Sequence, residues 1–124
     1  MILSYEISKK HFHPDIVEGI SLKKYIDSGG YEILKKCYTN EMNVDNVIEE
    51  LNESGLKGMG GAGFPSGQKW KFVRMEPKPR LMTINGDEGE PGTFKDKLYL
   101  EQNIHKFFEG MLIAAWAVEA KKIY

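Results

Sequence analysis

The sequence predicts an α/β fold in which helices precede a partial parallel sheet. The run Leu81-Met82-Thr83-Ile84 is compact, apolar and bounded by proline and glycine, a pattern typical of a buried central strand. Segments on both sides of this run have apolar residues at helical spacing. Residues 120–124 resemble the start of another strand, which a parallel sheet requires after a crossover helix.

Length and composition indicate one domain of ordinary size and exclude several functions. A chain of 124 residues is about one domain long. A net charge of -1 with 28% charged residues offers no basic face for nucleic acid. The longest strongly apolar run, Met111–Val118, is far too short to insert directly into a membrane. The one cysteine, Cys37, can form neither an intrachain disulfide nor a metal cluster site, which favours a cytoplasmic location.

The domain is predicted to cover 29–124, after an irregular lead-in over 1–28 that shows no strong hydrophobic period. The lead-in contains His11-Phe12-His13. Because no carboxylate or cysteine accompanies these histidines at ligand spacing, we expect surface residues and no metal site.

Two helices are predicted early in the domain. The shorter covers 31–38 and has three residues on one side, Tyr31, Leu34 and Tyr38. The longer has Asn43 as its N-cap and Asp45 in its first turn, where the helix dipole favours a negative charge. Gly55 is placed to end that helix, which leads into a glycine-rich segment.

This segment, the glycine stretch, runs from Gly55 to Trp70, and six of its sixteen residues are glycine. Such a backbone adopts positive φ and approaches a ligand without Cβ atoms in the way, and its amides can form a nest for an anion. Lys69 adds a positive charge, while Phe64, Trp70 and Phe72 add flat apolar faces. These features together suggest a nucleotide or a flavin, with plain turn geometry as the alternative.

Two known phosphate motifs do not explain the glycine stretch. The spacing Gly58-x-Gly60-x-x-Gly63 satisfies the dinucleotide fingerprint, but a helix and not a strand precedes it. A Walker loop fails because Lys69 is not followed by Ser or Thr. A short helix predicted over 66–74 would add its free N-terminal amides to an anion site.

A second segment, the acidic stretch Asn85–Asp96, follows the predicted strand directly. Ligands of open α/β sheets bind at the carboxyl ends of the strands, where this stretch emerges. Three of its carboxylates, Asp87, Glu88 and Glu90, lie within four residues and repel one another unless they are partnered or solvated. A solvated turn is the alternative.

From Ile104 onward, a broad apolar stripe predicts a helix that packs in the core. Its members are Phe107, Phe108, Met111, Leu112, Ala115, Val118 and Glu119. Ala114, Ala115 and Ala117 would allow close packing on a sheet. The sequence therefore resembles the first part of an α/β domain whose remaining strands are missing.

Several segments match a known family in order and spacing: Ser54-Gly55-Leu56, Gly60–Pro65, Lys69-Trp70, Asn85, Asp87–Asp96 and Glu109-Gly110-Met111. With them, 29–124 resembles the flavin-binding subunit of NADH dehydrogenases. That family includes the NADH-oxidising subunit of respiratory complex I and relatives in NAD-reducing hydrogenases and NAD-dependent formate dehydrogenases. Three further segments look closest to the beta subunit of the formate dehydrogenases: Met59, Glu76–Met82 and Ile113–Trp116.

The resemblance implies a Rossmann-like domain that transfers hydride between NAD(H) and FMN within a larger electron-transfer complex. The FMN-binding residues would be Gly58, Gly60, Gly61, Ala62, Gly63, Lys69, Asn85 and Asp87. The NADH-binding residues would be Phe64, Phe72, Glu88 and Glu90. No side chain is expected to be catalytic, because the cofactors carry the reaction.

Departures from the family limit these expectations. Lys57 and Met59 stand where arginine is common, and Gly86 replaces a residue that usually bears a side chain. The family's later strands and its cysteine motif for a 4Fe-4S cluster have no counterpart, so the isolated chain is expected to be inactive. The expected partners are NADH and other subunits of a complex, either in the cytoplasm or peripheral to the cytoplasmic side of the inner membrane. The alternative is a stand-alone flavin- or nucleotide-binding or assembly module without catalysis.

Overall fold

A computed structural model describes residues 19–59 and 61–124 of the chain and divides them into two units. The glycine unit comprises 31–85 and 109–124, and the acidic unit comprises 19–30 and 86–108. The expectations for His11-Phe12-His13 and for Gly60 lie outside the described residues. In the described part of the chain, no helix has the length and apolar character needed to cross a membrane.

Six helices and two strands are described. In chain order they are α1 (Leu22–Asp27), α2 (Glu32–Tyr38), α3 (Val44–Glu53), α4 (Ser66–Met75), β1 (Arg80–Met82), α5 (Lys95–Gln102), α6 (Ile104–Ala117) and β2 (Ala120–Ile123).

The two strands pair in parallel, which confirms the predicted α/β class. Met82 lies opposite Ile123, and the ladder continues past both strands. The Tyr124 N–H donates to the Met82 carbonyl at 2.9 Å, and the Ile84 N–H donates to the Tyr124 carbonyl at 2.8 Å. The prediction of a buried central strand is wrong for Leu81, which is 58% exposed. The reason is that β1 has a strand neighbour on only one side within the described residues.

Helix α3 begins and ends where local sequence signals place it. The Asn46 N–H donates to Asn43 Oδ1 at 2.8 Å, which satisfies one of the amide donors that the helix leaves unpaired. Gly55 follows the helix with a φ of 68°, the left-handed conformation that glycine adopts most readily. Both features of this helix are therefore confirmed.

Helices α2, α4 and α6 are also confirmed. In α2 the buried residue is Cys37, and Tyr38 is exposed. In α6 the small residues Ala114, Ala115 and Ala117 are buried, as close packing requires. Burial, followed by the charge of Glu109, raises the pKa of the Cys37 thiol, so the thiol stays protonated at neutral pH.

Two arginines, Arg74 of α4 and Arg80 of β1, donate hydrogen bonds to carbonyls at the end of α6. Arg80 donates from Nη1 to the Val118 carbonyl at 3.1 Å and to Glu119 Oε2 at 2.7 Å, while Nη2 reaches the Arg74 carbonyl at 2.6 Å. Arg74 Nη1 donates to the Ala117 carbonyl. Positive charge at a helix C-terminus complements both the unpaired carbonyls and the helix dipole.

The acidic unit contains two helices that the sequence analysis did not predict. The lead-in is not irregular throughout, since Leu22–Asp27 form α1 and Ser21 Oγ accepts from the Lys24 N–H at 3.3 Å. Helix α5 begins at Lys95, inside the acidic stretch. The domain boundary at residue 29 stays a prediction.

Candidate cofactor site

The glycine stretch forms a loop that is closed at its base by backbone hydrogen bonds. Lys57 and Pro65 lie opposite each other in an antiparallel bridge. Beside this bridge, the Gly58 N–H donates to the Phe64 carbonyl and the Ser66 N–H to the Leu56 carbonyl, each at 2.9 Å. Both ends of the intervening segment are therefore fixed in position.

Two glycines of this loop have positive φ, and one of them, Gly61, faces open space. Gly61 has a φ of 101°, and a Cβ built there would meet no described heavy atom within 4 Å. Gly63 has a φ of 61°, and its nearest such neighbour is Lys57 Cδ at 3.9 Å. Packing among the described residues therefore leaves the backbone at Gly61 uncovered, while the Lys57 side chain lies against Gly63.

Gly67, unlike Gly61, lies in a tightly packed contact. A Cβ at this position would overlap Asn52 and would lie 2.8 Å from the Ile48 carbonyl oxygen. Gly67 therefore allows α3 and α4 to pack closely and is explained by the fold alone.

Lys69 lies in the first turns of α4, where its N–H donates to the Pro65 carbonyl at 3.0 Å. Its side chain is exposed and borders a hollow of about 450 Å³. The hollow is lined by Ser66, Lys69, Trp70, Val73, Leu81, Met82, Thr83, Ala114 and Val118. It thus reaches the carboxyl end of β1, where ligands bind in α/β sheets. Ser66 and Thr83 are polar lining residues that the sequence analysis missed, although Thr83 follows the strand directly.

Phe64 and Phe72 lie next to each other and are both exposed. Their ring centroids are 6.0 Å apart and their planes are inclined by 46°. At this separation two rings contact each other directly and leave no room for a third ring between them. An adenine would therefore stack on an outer face of the pair, or the two rings would have to separate.

Glu88 is committed to contacts within the acidic unit. The Asp96 N–H donates to its Oε1 at 2.8 Å and the Lys97 N–H donates to its Oε2 at 3.2 Å, so the carboxylate caps the first turn of α5. The side chain is 8% exposed, and Lys95 Nζ lies 3.9 Å from Oε1. The backbone of Glu88 has a φ of 46°, a left-handed conformation that costs a non-glycine residue roughly 1–2 kcal/mol.

The two carboxylates nearest to Glu88 in the sequence, Asp87 and Glu90, are exposed. Glu90 begins a turn through Pro91-Gly92, in which Gly92 has a φ of 80° and the Thr93 N–H donates to the Glu90 carbonyl at 3.1 Å. These features are typical of a type II turn. Asp87 is also exposed, and a Cβ at Gly89 would lie 3.1 Å from Asp87 Oδ2.

Lys95 carries a stable positive charge beside these acids. Its hydrogen bond to Asp96 Oδ1, at 2.6 Å, raises the pKa of the Lys95 ammonium, and the charges of Asp96, Glu88 and Glu90 act in the same direction. The cation therefore offsets part of the repulsion among the carboxylates.

The predicted site residues fall into both units. The glycine unit holds Gly58, Gly61, Ala62, Gly63, Phe64, Lys69, Phe72 and Asn85. The acidic unit holds Asp87, Glu88 and Glu90. That the two groups bind one cofactor jointly stays a prediction.

A parallel strand pair, with a hollow that joins the glycine stretch to the carboxyl end of a strand, defines the class as an α/β protein. Comparison with known families identifies the family within this class. The chain belongs to the family described as the Nuo51 FMN-binding domain, whose model matches residues 51–124. The resemblance predicted from the two stretches is thereby confirmed.

Curated relatives include two NADH oxidoreductase subunits. An NADH-quinone oxidoreductase subunit of Rhizobium meliloti (strain 1021) is 43% identical over 111 residues, which cover 89% of this chain and 26% of the relative. The mitochondrial NADH-ubiquinone oxidoreductase 51 kDa subunit of Neurospora crassa is 47% identical over 85 residues, which cover 64% of this chain and 17% of the relative. The chain thus spans about a quarter or less of the length of these relatives.

Solved structures show the same fold. A chain of the NAD+-reducing nickel–iron hydrogenase in the air-oxidised state aligns with a TM-score of 0.64 and 31% identity, covering 98% of this chain and 23% of that one. The H2-reduced state aligns with a TM-score of 0.60 and 44% identity, covering 65% of this chain and 14% of that one. These alignments support the Rossmann-like assignment of the fold.

Proposed function

We propose that this chain forms the FMN-binding part of an NADH-oxidising subunit in which hydride passes between NAD(H) and FMN. The observation that carries the proposal is the glycine loop, where Gly61 and Gly63 have positive φ and the space in front of Gly61 is filled by no described side chain. Membership of the FMN-binding family supports the choice of ligand. NADH is supported as the hydride donor, because the relatives are subunits of NADH-quinone and NADH-ubiquinone oxidoreductases.

Bound FMN would supply the hydride acceptor, so the chain's own residues act by position and charge. The bare backbone from Gly58 to Gly63 would admit the flat ring system and present amides to it. Lys69 would offer a cation to the phosphate or ribityl group at the edge of the hollow. Asn85 and Asp87 would bind the polar edge of the ring system.

The nucleotide would be held by separate residues. The exposed faces of Phe64 and Phe72 would bind the adenine. Glu90, exposed at the start of its turn, would hold the nicotinamide end near the flavin. Holding donor and acceptor face to face makes the transfer effectively intramolecular, an effect worth up to about 7–11 kcal/mol in the best cases.

The same proposal assigns a larger context. We place the chain in an electron-transfer complex like complex I or an NAD-dependent formate dehydrogenase, in the cytoplasm or peripheral to the inner membrane. Met59, Glu76–Met82 and Ile113–Trp116 favour the formate dehydrogenase branch. A 4Fe-4S cluster would be bound outside these residues, because Cys37 is their only cysteine. The 124 residues alone are therefore not expected to pass electrons onward.

The first test compares two lysines of α4 in the complex isolated with this chain. Lys69→Ala should lower the molar ratio of FMN to protein, because Lys69 borders the hollow next to the glycine loop. Lys71→Ala is the matched control, since Lys71 is an equally charged, exposed residue of the same helix that lines a different hollow. An unchanged flavin content in Lys69→Ala would contradict the role of Lys69.

The second test concerns Glu90. Glu90→Gln should change the KM for NADH far more than the FMN content, because the proposal places this carboxylate at the nucleotide. Equal losses of both would show that the role is wrong. A wild-type complex that binds FMN but is not reduced by NADH would favour the binding module without catalysis.

A further inference from the structure

We propose that Glu88 is the positioning residue of the acidic stretch: its carboxylate ties the start of the stretch to α5 and thereby fixes the backbone that carries Asp87 and Glu90. The inference rests on the proposed function. The family resemblance alone would suggest a direct contact between Glu88 and NADH. We infer instead that Glu88 acts through the neighbouring residues Asp87 and Glu90.

The geometry of the carboxylate carries the proposal. Both oxygens accept backbone hydrogen bonds, from the Asp96 N–H at 2.8 Å and from the Lys97 N–H at 3.2 Å. The side chain is 8% exposed, which leaves little of it for a ligand. Glu88 also keeps a φ of 46°, a conformation that persists only where surrounding contacts stabilise it.

Helix α5 depends on this contact because its own N-cap residue is Phe94, whose side chain has no oxygen. Helices leave their first amide donors unpaired, and Ser, Thr, Asp or Asn normally accept from them at the N-cap. Glu88 supplies that acceptor from outside the helix. The cap and the conformation of the stretch are therefore coupled.

The contact closes a short loop in which the turn from Glu90 to Thr93 is the central feature. Asp87 and Glu90 are exposed, whereas the side chain of Glu88 between them is enclosed. Release of Glu88 would free both ends of this loop. Glu90 would then lose a defined position relative to the start of α5.

Charge and reach can be separated by two substitutions in the isolated complex. Glu88→Gln keeps the length of the side chain and one accepting oxygen but loses the charge. Glu88→Asp keeps the charge but is one methylene shorter, so it cannot reach both amides without backbone movement. Glu101→Gln is the matched control, because Glu101 is an exposed acid of α5 that takes no part in the cap.

The first readout is amide hydrogen exchange at Asp96 and Lys97. Glu88→Asp should accelerate exchange at both amides by about fivefold to tenfold, the effect expected for a lost helix cap, while Glu88→Gln, which keeps one accepting oxygen, should do so at only one of them. Equal exchange in wild type and Glu88→Asp would overturn the cap. This readout does not depend on NADH, so it is distinct from a failure of the proposed function, which would appear as a wild-type complex without bound FMN.

The second readout is kcat/KM for NADH. A positioning role predicts a loss of about tenfold or more in Glu88→Asp, since small misplacements of binding groups are costly, and a loss below about threefold in Glu88→Gln. A direct charge contact predicts the reverse order, with Glu88→Gln the more damaging. That reverse order, or equal effects in both variants, would overturn the proposal.

Discussion

Glu109 accepts a hydrogen bond from the backbone N–H of Tyr31, with 2.9 Å between the Tyr31 nitrogen and Glu109 Oε2. Oε1 of the same carboxylate lies 3.4 Å from the Leu34 nitrogen, so one side chain of α6 caps the start of α2. Tyr31 itself has a φ of 65° and precedes the helix in the left-handed conformation. Glu109, one of the residues that match the family, therefore has a structural role in this fold.

Glu109→Ala should lower the free energy of unfolding by about 1–3 kcal/mol, because it leaves buried amides of α2 without their acceptor. Glu109 is 9% exposed as a residue, so water cannot fully replace its carboxylate. Glu109→Gln should cost less, since one accepting oxygen remains. Urea denaturation of the purified protein measures both. Exposed Glu49→Ala is the control, and equal midpoints for Glu49→Ala and Glu109→Ala would contradict the capping role.

Gly67→Ala should destabilise the protein by about 1–3 kcal/mol, because the added methyl group overpacks the contact between α3 and α4. Asn52 can move aside, but the Ile48 carbonyl oxygen, 2.8 Å from the position of the added Cβ, belongs to a helix backbone. Gly110→Ala is the opposite case. No described heavy atom lies within 4 Å of a Cβ there, so α6 should gain about 0.5–1 kcal/mol from the better helix former. Thermal melting that showed the same sign for both variants would contradict this assignment.

Gly61→Ala should lower FMN occupancy, while Gly29→Ala should leave it unchanged. The two glycines have φ values of 101° and 90°, and a Cβ at either meets no described heavy atom within 4 Å. Both substitutions therefore impose similar backbone strain, of about 1 kcal/mol or more. Only Gly61 lies in the glycine loop. The flavin content after purification distinguishes them, and equal occupancy would remove the reason to place FMN against this backbone.

Glu119 should stabilise the protein at neutral pH, and acid should remove this stabilisation. Its hydrogen bond from Lys78, followed by that from Arg80, lowers the pKa of the Glu119 carboxyl below its ordinary value of 4.5. A carboxyl whose pKa is lowered by folding contributes its full stabilisation at a pH above its ordinary, unfolded-state pKa. This contribution is lost as the pH falls through the lowered, folded-state pKa. The Tm of Glu119→Gln should lie below that of wild type at pH 7, and the difference should shrink below about pH 4.5. A Tm difference that stayed constant down to pH 2 would exclude titration of Glu119 as the cause.

Sequence patterns predicted the elements whose signals are local. Asn43 and Gly55 mark the ends of α3 because capping acts within one turn of the helix. The small residues of α6 predicted its packing, since Ala114 and Ala117 suit a close contact. The apolar run at Leu81 predicted β1. It did not predict how exposed β1 is, because that depends on which strands lie beside β1 in the folded protein.

Local signals alone identified the two stretches, the parallel strands and the family, because glycine content, charge clustering and hydrophobic period are properties of neighbouring residues. Only the tertiary structure separated Gly67, which the packing of α3 on α4 requires, from Gly61, which faces open space. It likewise assigned Glu88 to the cap of α5 and Glu109 to the cap of α2. Hydrogen bonds and close contacts between residues far apart in sequence leave no periodic trace, so they become visible only when the chain is folded.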